Sequence, residues 1–111
     1  MKVPPLSSQE LELIQDVFRR HSEINSAILF GSRAKGTHSV HSDVDLAVSG
    51  RVDPIRAEAI AAELDELPLP YRFEVQSLDY ITHRALREHI ERVGIVVYRE
   101  TDLAGPARVT V

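Results

Sequence analysis

The fold is decided by residues 27–46, which read AILFGSRAKGTHSVHSDVDL. An apolar run is followed by Gly31-Ser32, and after ten further residues Asp43 and Asp45 begin a second apolar run. Side chains alternate faces along a β-strand, so the two aspartates are expected on one face with their Cα atoms about 7 Å apart. The apolar residues between and after them then point into a core. Two carboxylates beside a Gly-Ser turn indicate a site that holds divalent metal and phosphate together.

The turn itself has the chemistry of a phosphate-binding segment. Gly31 permits a tight turn and a close approach of the backbone, and Ser32 adds a hydroxyl. If residues 32–35 begin a helix, its free N–H groups and positive dipole end would suit a triphosphate. Arg33 and Lys35 add positive charge, and both are expected to contact phosphate.

The ligand types at the two aspartates favour magnesium over other metals. Mg²⁺ prefers hard oxygen donors, uses few protein carboxylates and completes its coordination with water and substrate phosphate. Phosphoryl and nucleotidyl transfer depend mainly on positioning and on neutralising developing charge, so the protein need not supply a nucleophile.

The pair Gly31-Ser32, ten residues and then Asp43-x-Asp45 resembles the signature of the DNA polymerase β-like nucleotidyltransferase superfamily. The short chain resembles the minimal nucleotidyltransferase branch of that superfamily, abbreviated MNT. The resemblance implies that the Gly-Ser turn holds the nucleotide phosphates, that both aspartates bind metal, and that a third carboxylate on a later strand completes the site.

Glu74 is the candidate for the third carboxylate. It lies in a predicted strand over residues 71–76, where Tyr71, Phe73 and Val75 share one face and Glu74 occupies the other. The superfamily more often has aspartate at this position. Metal ligation, action as a base and support of the site therefore remain three open roles for Glu74.

The resemblance covers about residues 8–98 and implies an α/β (α+β) fold. A small mixed sheet is expected, with helices packed on one face and the carboxylates gathered on the other. We expect a single domain over residues 1–111, with an ordered core at about 8–98 and a tail at 99–111.

The resemblance also implies an activity and a partner. MNT proteins similar to this chain are antitoxins that transfer AMP from ATP to a tyrosine hydroxyl of a HEPN-domain toxin. Carried over, this predicts a protein adenylyltransferase that uses ATP and two Mg²⁺ ions and forms a hetero-oligomer with its toxin. One alternative is a non-catalytic antitoxin that masks its partner, and another is nucleotidyl transfer to a small molecule.

Composition limits the remaining classes of function. The chain has 111 residues, no cysteine and a formal net charge of −4. A negative charge argues against binding of long nucleic acid, which relies on Lys and Arg to neutralise phosphates. No apolar stretch approaches the ~20 residues that span a bilayer and no signal peptide is apparent, so a cytoplasmic location is expected.

Capping signals predict where the helices begin. Ser7 and Glu10 form a capping box for a first helix, and Asp53 followed by proline begins another. The buried stripe of that second helix is assigned to Ile55, Ala59, Ile60, Leu64 and Leu67. Asp79 is the expected N-cap of the last helix.

Overall fold

The computed structural model describes residues 6–39 and 42–100. The first half contains two of the strands and the short helix between them: α1 (Ser8–Arg19), β1 (Ile24–Phe30), α2 (Gly31–Lys35) and β2 (Val44–Gly50). The second half contains α3 (Pro54–Asp65), β3 (Phe73–Ser77), a 3₁₀ turn (Leu78–Tyr80), α4 (Arg84–Val93) and β4 (Ile95–Arg99).

The four strands form one mixed sheet in the order β3-β2-β1-β4. β1 is antiparallel to both β2 and β4, whereas β2 and β3 run parallel. This architecture confirms the predicted small mixed sheet and the α/β class. The two central strands are the apolar runs that flank the Gly-Ser turn, so the turn and both aspartates lie at one end of the sheet.

One face of the sheet carries the main hydrophobic core. Alternate residues of the two central strands, among them Leu29 and Leu46, are fully buried there against α1 and α3. The helices contribute Ile14, Phe18 and Ile60, which are also fully buried. Burial of each such side chain contributes about 1.5–3 kcal/mol, so this face supplies much of the stability of the fold.

The opposite face is covered only in part. Phe30 and Ala47 pack there against Ile81 and against Ile90 of α4. The expectation that the helices pack on one face therefore holds for α1 and α3 but is wrong for α4. Because Phe30 is paired with Asp45 across β1 and β2, α4 lies on the same face as the acidic residues.

Two of the three predicted helix starts are confirmed. The Ser7 side chain accepts a hydrogen bond from Glu10 N–H at 3.1 Å, and Ser7 N–H donates to the Glu10 carboxylate at 2.9 Å. Asp53 accepts from Arg56 N–H at 2.8 Å and caps α3. These bonds satisfy N–H groups that have no acceptor within the helix.

The third predicted helix start, at Asp79, is wrong. Asp79 lies in the 3₁₀ turn, and α4 begins at Arg84 with His83 as its N-cap. Arg87 of α4 donates to the carbonyl oxygens of Leu78 and Ile81, at 2.7 and 3.1 Å. These carbonyl oxygens accept from the Arg87 side chain, and the segment between the 3₁₀ turn and α4 is not helical.

The buried stripe of α3 agrees with the prediction in part. Ile60 and Leu64 are buried as predicted, together with Ala57, whereas the prediction is wrong for Ile55, which is 80% exposed, and for Ala59, which is exposed as well. Successive residues turn by about 100° around a helix. Positions 55 and 59 are each two residues from Ala57 and so lie about 200° away from it, on the side that faces solvent.

Among the described residues, no helix is both long enough and apolar enough to span a bilayer. The predicted tail begins at Arg99, the last residue of β4. Its residues 101–111 lie outside the part of the chain that the structure describes.

Candidate active site

Asp45 lies at the centre of a group of acidic side chains at one end of the sheet. It is the second residue of β2, and its strand neighbours are Phe30 on β1 and Glu74 on β3. Residues paired across neighbouring strands point to the same face, so Asp45 and Glu74 share a face. Asp43, two residues earlier, lies just before the strand on the chain that leads into it.

The structure thus brings the three predicted carboxylates into one region. Asp43 and Asp45 are half-buried, and Glu74 is exposed. The expected alternation along β2 is confirmed, since Val44 and Leu46 on the other face are fully buried.

The carboxyl group of Asp45 has the electrostatics expected of such a cluster. Burial, then the negative charge of Glu74, then that of Asp43 raise the pKa of Asp45 from its ordinary value of 3.8 to about 6. Burial and like charge both disfavour the ionised form. The raised pKa therefore marks Asp45 as the carboxyl group on which burial and neighbouring negative charge act together.

Gly31 brings the backbone of the turn directly against Asp45. Its φ is +77°, in the left-handed region that favours glycine. A Cβ atom at this position would overlap Oδ2 of Asp45 and lie 3.2 Å from its Cγ. Two features therefore favour glycine at position 31, namely the left-handed backbone conformation and the close approach to the Asp45 carboxylate.

The short helix after Gly31 confirms the expected helical start. α2 runs over five residues and ends at Gly36, which has a φ of 82°. Ser32 is half-buried in its first turn, and Lys35 is exposed in its last. Phosphate contact by these two residues stays a prediction.

Arg33 makes buried contacts beside the turn. Its side chain has 3% of its surface exposed, and its guanidinium lies 4.2 Å from the centre of the Tyr71 ring. Nε and Nη2 donate to the carbonyl oxygen of Ser42, at 3.3 and 3.0 Å. The Tyr71 hydroxyl in turn donates to Glu10 of α1 at 2.7 Å. Arg33 thus anchors the chain immediately before Asp43, and its phosphate contact stays a prediction.

The carboxylates fit a magnesium ion in donor type but not as a complete coordination shell. Among residues 6–39 and 42–100, no three His, Asp or Glu side chains are close enough together to hold a metal by themselves. Asp43, Asp45 and Glu74 are all oxygen donors. The pKa of Asp45 is raised first by burial and then by the negative charges of Glu74 and Asp43, and a cation would offset that repulsion. Mg²⁺ commonly takes one or two carboxylates and completes its shell with water and substrate phosphate, so the residues fit a metal that binds with a nucleotide.

His89 is a contact of the site that the sequence gave no reason to expect. Its Nε2 accepts a hydrogen bond from Gly31 N–H at 3.2 Å across 58 residues of sequence. Its ring packs edge-on against Phe30, with centroids 6.1 Å apart. A lone histidine on an amphipathic helix carries no signal of this kind, because the contact depends on how α4 docks.

Comparison with known proteins gives the family. A sequence profile described as "Polymerase beta, Nucleotidyltransferase" matches residues 12–103, which is most of the chain. The chain belongs to this family. As a nucleotidyltransferase, it has the Gly-Ser turn and the acidic residues on neighbouring strands of the fold described above, and its sequence-based assignment to the superfamily is confirmed.

Similar proteins include one relative and several solved structures. This nucleotidyltransferase is 28% identical over 95 residues to the protein named "Probable protein adenylyltransferase MntA" from Haemophilus influenzae, covering 83% of this chain and 82% of that protein. It also resembles a chain of a toxin-antitoxin crystal structure with AMP-PNP, with a TM-score of 0.68 at 20% identity, covering 87% of this chain and 77% of that one.

A third likeness is to a structure of an MNT antitoxin in complex with tri-AMPylated Shewanella oneidensis HEPN toxin. The TM-score is 0.67 at 17% identity, covering 87% of this chain and 76% of that one. At these identities the two structural likenesses establish the fold of the nucleotidyltransferase.

Proposed function

We propose that this nucleotidyltransferase transfers AMP from ATP to a tyrosine hydroxyl of a HEPN-domain toxin and thereby acts as its antitoxin. The observation that carries the proposal is the position of Asp45. It lies in register with Glu74, near Asp43 and against the backbone of Gly31. A negatively charged group and the segment expected to hold phosphate are thus adjacent, which is the arrangement that a metal-dependent phosphate chemistry needs.

The names of the similar proteins support the choice of nucleotide and partner. The Haemophilus relative is named as a probable protein adenylyltransferase. One similar structure contains AMP-PNP, and another contains a HEPN toxin that carries AMP groups. The formal net charge of −4 is compatible with a basic protein partner and disfavours long nucleic acid as the acceptor.

In this proposal Asp43, Asp45 and Glu74 hold two Mg²⁺ ions, and residues of the turn hold the triphosphate. When bound, the ions would neutralise charge on the phosphates and lower the pKa of the attacking hydroxyl. Gly31 lets the turn approach Asp45, and Ser32 and Lys35 contribute a hydroxyl and a positive charge to the phosphates. The proposal also assigns Glu74 the role of a metal ligand or of the base that accepts the hydroxyl proton.

The transfer balances as a displacement at phosphorus. The hydroxyl oxygen of the acceptor forms a bond to the α-phosphorus of ATP while the bond from the α-phosphorus to the bridging oxygen breaks. Pyrophosphate leaves with the electron pair, and the hydroxyl proton passes to Glu74 or to water. The chain contributes position and charge, which is where most of the rate enhancement of such reactions originates.

The direct test is the intact mass of a HEPN-domain protein encoded beside this chain, measured after incubation with the chain, ATP and Mg²⁺. We expect a gain of one or more AMP units that is lost in Asp43→Ala/Asp45→Ala. Asp16→Asn is the matched control, because Asp16 is exposed on α1 and pairs with Arg19 at 3.1 Å, away from the sheet end.

The outcomes separate the candidate functions. An unmodified partner that is still inhibited would contradict the enzyme and leave the masking antitoxin. AMP transfer to a free hydroxylated compound with no protein partner present would instead indicate a small-molecule nucleotidyltransferase.

A further inference from the structure

The contact between α4 and the turn is the least expected feature of the site. Gly31 N–H donates to Nε2 of His89 at 3.2 Å, and the half-buried imidazole packs edge-on against Phe30. For Nε2 to accept this bond the imidazole must be neutral, with its proton on Nδ1.

The bond gives the Gly31 N–H an acceptor that the residues next to it in sequence do not provide. Gly31 is the first residue of α2, and the N–H groups of the first helical turn have no acceptor within the helix. The preceding residue, Phe30, makes no side-chain capping bond. His89 therefore supplies, from another helix, an acceptor for an N–H group that α2 itself leaves unpaired.

Gly31 is constrained at a second point. A Cβ on Gly31 would overlap Oδ2 of Asp45, so the residue is packed closely against the central carboxylate. Gly31 thus contacts both His89 of α4 and Asp45 of β2. Loss of the His89 bond would remove one of these two constraints and let the turn change its distance from the carboxylates.

We propose that His89 is a positioning residue of the nucleotide site, which holds the Gly31-Ser32 turn at the distance from Asp45 that binding of the triphosphate requires. This inference rests on the proposed function for the identity of the nucleotide. It assigns no catalytic step to His89, which acts only through the backbone of Gly31.

The first test compares two substitutions of His89. His89→Leu removes the acceptor but keeps apolar packing against Phe30, and His89→Gln keeps an acceptor at a similar reach. Leaving a buried hydrogen-bond donor without an acceptor typically changes an equilibrium constant by about tenfold. We expect AMP-PNP with Mg²⁺ to bind about tenfold more weakly to His89→Leu, and within about threefold of the original affinity to His89→Gln.

The matched control is His21→Leu. His21 also makes polar contacts, to Glu63 at 2.7 Å and to Glu23 at 3.4 Å, but it lies between α1 and β1, at the opposite end of β1 from the turn. We expect His21→Leu to lower the melting temperature without changing the affinity for AMP-PNP. In the transfer reaction, His89→Leu should raise KM for ATP by more than it lowers kcat, as befits a change in binding geometry.

The second test does not require any variant to fold. In protein labelled with ¹⁵N, a scalar coupling across the hydrogen bond should connect the Gly31 amide nitrogen to Nε2 of His89, with the ring proton on Nδ1. A missing coupling, or a ring proton on Nε2, would overturn the inference.

The remaining outcomes are equally decisive. Unchanged AMP-PNP affinity in folded His89→Leu, or equal loss in the Leu and Gln variants, would overturn the role of His89 while leaving the proposed function intact. A chain with His89 in place that binds no AMP-PNP would overturn both. Intact binding with no AMP transfer to any partner would contradict the proposed function and leave His89 as a residue of a nucleotide-binding site.

Discussion

The two faces of β2 show how one strand serves both stability and chemistry. On one face Val44, Leu46 and Val48 are fully buried in the main core. On the other, Asp45 is half-buried beside Glu74 and its pKa is raised to about 6. The alternation of a strand separates these roles by a single residue. An unfavourable cluster of charge can therefore persist because the core behind it stabilises the same strand.

The largest expected effect is on AMP transfer when the acidic face is neutralised. Asp45→Asn keeps the shape of the side chain but removes the charge that would hold the cation. We expect the transfer rate to fall at least about a thousandfold, because stabilisation by a metal is worth several kcal/mol. Rates of AMP incorporation with and without the substitution measure this. A loss of less than about tenfold would mean that Asp45 is not at the centre of the reaction.

The next effect concerns the apolar face of β2, where a substitution should lower the free energy of unfolding without changing the rate of AMP transfer. Leu46→Ala removes a fully buried side chain and is expected to lower the free energy of unfolding by about 2–5 kcal/mol. Urea denaturation measures the loss. The rate of transfer per folded molecule should remain close to that of the original chain. A large fall in the transfer rate at unchanged stability would show that the apolar face of β2 also takes part in the chemistry.

A third prediction concerns the turn that touches the acidic face. Gly31→Ala should lose about 1–2 kcal/mol of stability because alanine is strained at a φ of +77°. It should also lose most of the transfer activity, because the new Cβ would displace Asp45. Gly36→Ala is the matched control, since Gly36 has a φ of 82° at the far end of α2. Equal loss of activity in both variants would show that strain, and not contact with Asp45, is responsible.

The smallest effect is the dependence of stability on pH. Below its unfolded-state pKa of 3.8, Asp45 is protonated in both states and carries no penalty. As pH rises from about 4 through about 6, the unfolded chain ionises more readily than the folded one, and stability is lost. Asp45→Asn should therefore be more stable than the original chain at pH 7 by about 1–2 kcal/mol, a value reduced by solvent screening of the half-buried carboxyl.

Thermal unfolding at several pH values checks this prediction. The difference in melting temperature between the two proteins should narrow as pH falls from 7 to 4. A difference that is constant over this range would mean that the ionisation of Asp45 does not weaken the folded state.

The sequence predicted the central part of the site because the necessary signals are local. Period-two alternation placed Asp43 and Asp45 on one face, and the strand pattern around Glu74 placed that residue on the matching face of β3. Gly31 indicated that the backbone of the turn could approach neighbouring groups closely. The face on which each carboxylate lies followed from the spacing within its strand, whereas the choice of Glu74 as the third carboxylate came from the resemblance to the superfamily.

The structure adds to or departs from the sequence-based picture where contacts between different elements decide the outcome. Arg33 is drawn into a buried stack on Tyr71, which no local pattern indicates. The start of α4 is displaced from Asp79 because Arg87 bonds to the carbonyls before it. His89 reaches Gly31 only through the docking of α4 on the sheet. In each case a side chain contacts backbone or ring groups of another element, and the local propensity of the sequence does not predict such contacts.

We propose that three carboxylates and the Gly31-Ser32 turn converge on a metal-bound triphosphate. A crystal structure with AMP-PNP and Mn²⁺ tests this directly, because anomalous scattering locates the ion. We expect an anomalous peak in contact with Asp43 and Asp45, with Glu74 facing it and the phosphates against the turn. A nucleotide bound elsewhere, or a metal peak absent from the two aspartates, would contradict it.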